Sequence, residues 1–361
     1  MKINEKILKK DIENLIDINA ININVADMLM TAFSYTDIFD PNDIKQYVKE
    51  GFSEEEAIIT VLYDFYGLNK DDEDNAQIME EYFLKCIHKL EPTDYLNNPY
   101  VKAIKKQGRT GKYALKEITY APYQLFASDE IVVKNYHEYS QVGYFSEEFS
   151  YLALCEGNNI WMSLNPNEIN TMQPYIDEAK GDVLILGLGM GYVPFMLANK
   201  DDVKRIVIIE RDQQIIDLFN LFIWPDFPNQ EKVTIIKDDA IRYTSDKQRC
   251  QSYDYIFADL WHEPNDGLDI YLSLKKNEQI INKKIHYWLE TSIIALLRRC
   301  MITLIEETLF EHLDDNAYRH AKTATDKVIN HYYFQTKNLA LNNKEDLDHL
   351  LSDENLVKLT I

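Results

Sequence analysis

The chain has 361 residues, of which 46% are hydrophobic and 27% charged, and it carries a formal charge of −22. That length suffices for one large core or two, with roughly two domains as the neutral expectation, and the composition is ordinary for a soluble globular protein. So strong a negative charge argues against duplex DNA or an anionic membrane as a main partner, because binding phosphate needs a basic face.

Cys86, Cys155, Cys250 and Cys300 stand far apart with no C-x-x-C pair, which fits reduced thiols in a cytoplasm. The first residues lead into an acid-containing amphipathic pattern, not an apolar signal core. The most apolar stretch, 293–305, is interrupted by Arg298 and Arg299. It is too short to span a bilayer and reads as a buried helix. Tyrosines are abundant, yet no basic residues interleave with them as a single-strand nucleic-acid groove would require. The expectation is a cytoplasmic protein with neither a nucleic acid nor a membrane as partner.

Residues 1–114 predict a helical region. Ile7, Ile12, Leu15 and Ile16 repeat at helical spacing, as do Ile58, Val61, Leu62 and Phe65. Ser53 with Glu56 three residues on predicts a capped helix start. The acidic run at 71–74 reads as a solvated loop or helix start, and Gly108 with Gly111 marks a break. Over 115–164 the period changes: 131–133, 136–142, 151–154 and 160–162 are rich in aromatic and β-branched residues, punctuated by turn formers at 156–159. A small antiparallel sheet with hairpins follows from that pattern.

Residues 165–265 predict a nucleotide-binding core. A helix over 167–178 leads into an apolar run, 183–186, which meets Gly187, Gly189 and Gly191, and an apolar segment at 194–198 then starts a helix. Strand, glycine turn and helix N-terminus together let backbone approach an adenosine-type ligand closely. A dinucleotide fingerprint would place its third glycine at Tyr192, so the spacing here is G-x-G-x-G. A second run, 207–209, ends at Glu210, where an acid can accept hydrogen bonds from both ribose hydroxyls. The third, 233–236, leads to Asp238 and Asp239, and the fourth, 255–258, to Asp259, Trp261, His262 and Glu263. The pattern is an α/β, Rossmann-like, mostly parallel sheet.

Residues 266–361 predict a helical C-terminal layer. Almost all of 268–340 reads as helix, and Trp288, Leu289, Ile293, Leu296, Leu297, Met301, Leu304 and Ile305 form a broad apolar face. No fifth-strand signal stands out, which predicts a shortened sheet, and the helical layer offers a surface for a homodimer contact.

The G-x-G-x-G turn, with acids after successive strands, resembles motif I and its surroundings in class I S-adenosylmethionine-dependent methyltransferases and their relatives, the spermidine synthases. The likeness covers about residues 160–265, and the order of small β-unit, helix and nucleotide-binding sheet is that of the spermidine synthases. It implies that Gly187, Gly189, Gly191 and Glu210 hold S-adenosylmethionine. Asp239, with Asp238 in reserve, would face the adenine amino group, and Asp259 the transferring group. Two departures stand out. Spermidine synthases carry an acid between the last two glycines, where this chain has Met190, and tandem aspartates after the fourth strand, where it has Asp259 and then His262, Glu263 and Pro264. A Tyr-His-Glu string at 136–138 falls in a predicted strand and reads as coincidence.

The expected function is therefore an S-adenosylmethionine-dependent methyltransferase, yielding S-adenosylhomocysteine, on a small-molecule or protein acceptor. Alignment at near-attack distance supplies much of such a rate, and a base is needed only for a protonated acceptor. Asp259 and His262 are the catalytic candidates, His262 because histidine as a residue type can exchange protons near neutral pH, although capping of Glu263 explains it too. Trp261 and Glu263 are candidates for the substrate side, with core packing the alternative for Trp261. An aminopropyltransferase of spermidine synthase type and a non-catalytic cofactor-binding or interaction protein stand as alternatives. No metal site is expected: neither Asp259, His262 and Glu263 nor Glu307, Glu311 and His312 has an established ligand spacing.

Overall fold

The structure, a computed structural model, describes residues 1–69, 71–310 and 322–361. Fourteen strands occur among the described residues. β1 (Lys2–Ile3) pairs in parallel with the distant β14 (Ala340–Leu341), tying the two ends of the chain together. The helix Glu5–Ser34 follows, 30 residues long and so about 45 Å from end to end. Leu8, Ile12 and Leu15 on its first half join the main core, whereas Val25 and Leu29 belong to a second core with Ile58, Leu62, Phe83 and Tyr144. Ile7 is exposed and its neighbour Leu8 takes the buried position instead. At Ser53 the expected capping box forms: Glu56 N–H donates to Ser53 Oγ (3.1 Å) and Ser53 N–H to the Glu56 carboxylate (2.8 Å).

The β region holds two sheets instead of the expected one. β3 (Gly108–Thr110), β4 (Tyr113–Tyr120), β7 (Phe149–Glu156) and β8 (Asn159–Ser163) form an antiparallel sheet. β5 (Phe126–Lys134) and β6 (His137–Tyr144) form a hairpin. Its edge pairs in parallel with β2 (Ile87–Lys89), a strand inside the region read as helical.

The main sheet is five-stranded and wholly parallel, in the order β11 (Val233–Lys237), β10 (Val203–Glu210), β9 (Gly181–Leu186), β12 (Tyr255–Ala258), β13 (His286–Tyr287). A strand covered on both faces reads as an unbroken apolar run, and Val183 to Leu186 are all buried. Each such side chain contributes about 1.5–3 kcal/mol as an upper estimate. The chain moves outward in one direction from β9 to β10 and β11, and in the other from β12 to β13. The crevice at that reversal, above the C-terminal ends of β9 and β12, is where ligands bind open sheets of this kind.

The absence of a fifth strand was the wrong expectation. β13 has two residues, too few to show a period, and Trp288 N–H extends it by donating to Ala258 O (3.0 Å). Trp288 and Leu289 therefore precede the helix Glu290–Phe310 and do not lie on it. Helical structure otherwise dominates this region, in Pro264–Ile281, Glu290–Phe310 and Ala324–Thr336; residues 311–321 of it lie outside the described residues. The arginines of the buried helix are both paired, Arg298 with Asp353 and Arg299 with Glu138, which offsets the cost of burying their charge. Among the described residues no helix is long and apolar enough to cross a membrane.

Candidate active site

The glycine turn after β9 is built from three residues with left-handed backbone: φ is +103° at Gly187, +53° at Gly189 and +72° at Gly191. Fixed backbone leaves Gly187 no room for a side chain, whereas at Gly189 only the flexible Met162 side chain stands in the way. A Cβ on Gly187 would lie 2.0 Å from the Asp259 carbonyl oxygen, and one on Gly189 2.8 Å from Met162 Sδ. β8 thus lies across the turn. From the N-terminal side, Tyr100 donates its hydroxyl to Met190 O, and Asn98 Nδ2 donates to the Tyr192 hydroxyl (2.9 Å).

Glu210, at the end of β10, faces this turn. Its Oε2 accepts from Leu188 N–H (3.1 Å) and its Oε1 from Asp212 N–H (2.7 Å). Each carboxylate oxygen keeps a second lone pair, which leaves both able to accept from vicinal hydroxyls. Glu210, Gly187, Gly189, Asp238, Asp239 and Ile241 line one cavity of about 260 Å³. Its mouth is bordered by the β3–β4 hairpin, where Tyr113 donates its hydroxyl to Asp212 (3.0 Å) and Lys112 N–H donates to Gln214 Oε1 (3.1 Å).

The two acids after β11 differ in their partners. Asp238 accepts from Arg242 and from Arg249 (3.2 Å), and the Arg242 hydrogen bond holds its carboxyl below the usual carboxylate range. Asp239 caps the following helix through Oδ1, which accepts from Arg242 N–H (2.9 Å). Among the described residues its other oxygen has no partner.

A second cavity of about 200 Å³ opens on the other side of the turn. Glu168, Met172, Met190, Tyr192, Asp259 and Trp288 are among its lining residues. Met162, Gly187, Asp259 and His262 border both cavities, so the two meet there. Asp259 N–H donates to Leu186 O (2.9 Å), which fixes the strand end under its carboxyl. Burial, and then the nearby Glu210 charge, push the Asp259 carboxyl up to about 7. Burial also raises Glu168, with Asp259 as the second cause. Among the described residues neither side chain has a hydrogen-bond or ion-pair partner, and no lysine or arginine lines this inner cavity. Two like-charged groups in a poorly solvated space keep a proton or bind a cation.

Trp261 is buried, donates Nε1–H to Trp288 O (3.2 Å), and lines both cavities, so it packs in the core and also borders the site. His262 packs edge-on against Trp161 with ring centroids 4.2 Å apart, while its N–H and that of Glu263 donate to Asp266. Glu263 is not brought into either cavity. The chain turns at Pro264 to start a helix, and Glu263 lines a separate groove between the N-terminal helix and Glu290–Phe310. Among the described residues no three acidic, cysteine or histidine side chains gather as metal ligands; Glu311 and His312 lie outside those residues.

Sequence reading did not place Glu168 at the site, and it assigned Trp288 to the apolar face of the C-terminal helical layer. Glu168 sits in the first turn of the helix Pro166–Glu178. A helix leading into β9 runs against it, so its N-terminus lies at the strand's C-terminal edge. An acid in that turn was the available signal. Trp288 had none, because its neighbouring strand is only two residues long.

Residues 168–271 match the spermine/spermidine synthase domain, a family with the class I methyltransferase type of fold, over less than a third of the chain. No curated protein matches the chain. The matched stretch contains the glycine turn, Glu168, Glu210, Asp239 and Asp259. The similarity supports a transferase, and it favours aminopropyl transfer over methyl transfer, the first expectation from the sequence.

Proposed function

We propose that this protein transfers an aminopropyl group from decarboxylated S-adenosylmethionine to an amine acceptor. The observation that carries the reading is the inner cavity, with Glu168 and Asp259 on its wall and, among the described residues, no lysine or arginine. S-adenosylmethionine would bring a carboxylate into that space, against two acids. The decarboxylated donor brings only an ammonium group and a sulfonium, both of which the acids attract. The similarity to the spermine/spermidine synthase domain points the same way.

In this reading the donor is a substrate that supplies a carbon made electrophilic by its sulfonium. Glu210 binds the ribose hydroxyls, and Asp239 accepts from the adenine amino group. The acceptor arrives as an ammonium ion and must lose a proton before its nitrogen can attack. Asp259, at the junction of the cavities, takes that proton. A carboxyl raised to about 7 is a better match for the task than one near 4. A carbon–nitrogen bond then forms, the carbon–sulfur bond breaks with its electrons going to sulfur, and methylthioadenosine leaves.

Calorimetric titration with decarboxylated S-adenosylmethionine, S-adenosylmethionine, S-adenosylhomocysteine and methylthioadenosine tests the donor. The decarboxylated donor should bind at least about tenfold more tightly than S-adenosylmethionine, a difference of about 1.4 kcal/mol. Tighter binding of S-adenosylmethionine or S-adenosylhomocysteine would reject the reading in favour of methyl transfer. Glu210→Ala should weaken all four ligands together, on the order of 10²-fold, since each hydrogen bond to a charged group is worth about 1.5–3 kcal/mol. Unchanged affinity would remove Glu210 from the nucleoside site.

A further inference from the structure

We infer that Glu168 is the positioning residue that holds the donor's terminal ammonium group, leaving Asp259 free to act on the acceptor. The inference rests on the aminopropyl-transfer reading and divides the two acids by where they sit. Asp259 borders both cavities, hence the place where a nucleoside in the outer one would present its sulfur. Glu168 borders the inner cavity alone, alongside Met172 and Met190. The glycine turn itself contributes only apolar side chains there, Leu188 and Met190, so the turn carries no counter-charge for a cation in this space.

The backbone of Glu168 is well fixed. Asn165 caps its helix, with Glu168 N–H donating to Asn165 Oδ1 (3.0 Å), and Pro166 starts the first turn. Asn165 is itself tied to the Tyr120 hydroxyl (3.1 Å), which links the helix start to the β4 sheet. The carboxyl therefore projects from an anchored position while finding no partner among the described residues. An ammonium group supplies the missing charge and three donors, and the sulfur walls of Met172 and Met190 accommodate the aliphatic carbons of an aminopropyl chain.

The test compares two ligands that differ by the aminopropyl arm. Glu168→Gln should weaken decarboxylated S-adenosylmethionine by roughly 10- to 100-fold, as expected for loss of a charge-assisted contact. Methylthioadenosine, which lacks the arm, should bind within about twofold of wild type, and a variant that merely loosened the fold would move both. Adding Met190→Asp to Glu168→Gln returns a carboxylate to the same cavity and should recover much of the lost affinity. Equal weakening of the two ligands, or none, would overturn the assignment while leaving the donor reading intact. If the wild type itself binds the decarboxylated donor no better than methylthioadenosine, the donor reading falls and this assignment with it.

Discussion

Asp259→Asn should abolish most turnover, by roughly 10²–10⁴-fold, the usual contribution of a positioned general base. Methylthioadenosine should still bind, because Glu210 and the glycine turn are untouched. Wild-type kcat/KM for the donor should rise with pH through about 7, as the Asp259 carboxyl of the free protein loses its proton, and at saturating donor the limb should move to lower pH because the bound cation favours the carboxylate. The variant's residual activity should lack that limb. Stability moves in the opposite sense. A carboxyl raised in the folded state binds more protons than in the unfolded chain, so its contribution is fully present below about 4 and is lost as pH rises towards 7. The wild type should therefore lose on the order of 2–4 kcal/mol across that window through Asp259. Asp259→Asn should melt higher than wild type at pH 8 and lose much of the slope. Some dependence remains through Glu168, whose carboxyl is also raised. Undiminished turnover, or a variant less stable than wild type at pH 8, would exclude Asp259 as a buried base.

A trade of stability for chemistry of this kind leaves a trace in sequence only when the strained group ends a recognisable element. Asp259 does, since the apolar run before it is a strand buried on both faces, and its C-terminal end is the binding edge of an open parallel sheet. The strands at 183–186, 207–209, 233–236 and 255–258 were legible for the same reason: runs of three or four mostly apolar residues, with a glycine or an acid within two positions of their ends, leave little alternative. Glu168 was not legible, because a single acid in a first helical turn is explained equally well by the helix dipole. Only the tertiary position of that turn, at the C-terminal edge of β9, makes it part of the cavity. β13 escaped because two residues have no period, and β2 because its three residues sit between helices. Partner strands, not local propensity, decide such short elements. Glu263 illustrates the converse. Its place after the fourth strand suggested a substrate role, but the helix beginning at Pro264 carries it into another groove.

The apolar and acidic halves of the site also explain why the cavities can coexist with so much negative charge. Asp238, the acid of the outer cavity with the most cationic neighbours, is neutralised by Arg242 and Arg249. The inner cavity has no such compensation, and its acids are the ones driven upward in pKa. In the proposed reading that difference gives the donor an orientation: adenine and ribose towards the outer cavity, where Asp238 is paired, and the cationic arm towards the inner one, where Glu168 has no lysine or arginine beside it.

The glycine turn offers the sharpest separation of architecture from function. Gly187 and Gly51 have nearly the same φ, +103° and +107°, but opposite surroundings. A Cβ at Gly51 would meet nothing within 4 Å, whereas at Gly187 it would lie 2.0 Å from a backbone carbonyl oxygen that cannot swing aside. Gly51→Ala thus reports the conformational cost alone, about 1–3 kcal/mol for a residue held outside its allowed region. Gly187→Ala adds displacement of Asp259 and of the β9–β12 pairing beneath it. Its cost should exceed about 4 kcal/mol, in the range that a clash with buried backbone produces. Urea melts of the two variants measure the difference directly, provided their slopes agree. The same displacement moves the Asp259 carboxyl, so any folded Gly187→Ala protein should show weak nucleoside binding and little turnover, while Gly51→Ala keeps both. Equal destabilisation by the two alanines would mean that the turn yields to a side chain, and that its glycines do not set the height of Asp259 above the sheet.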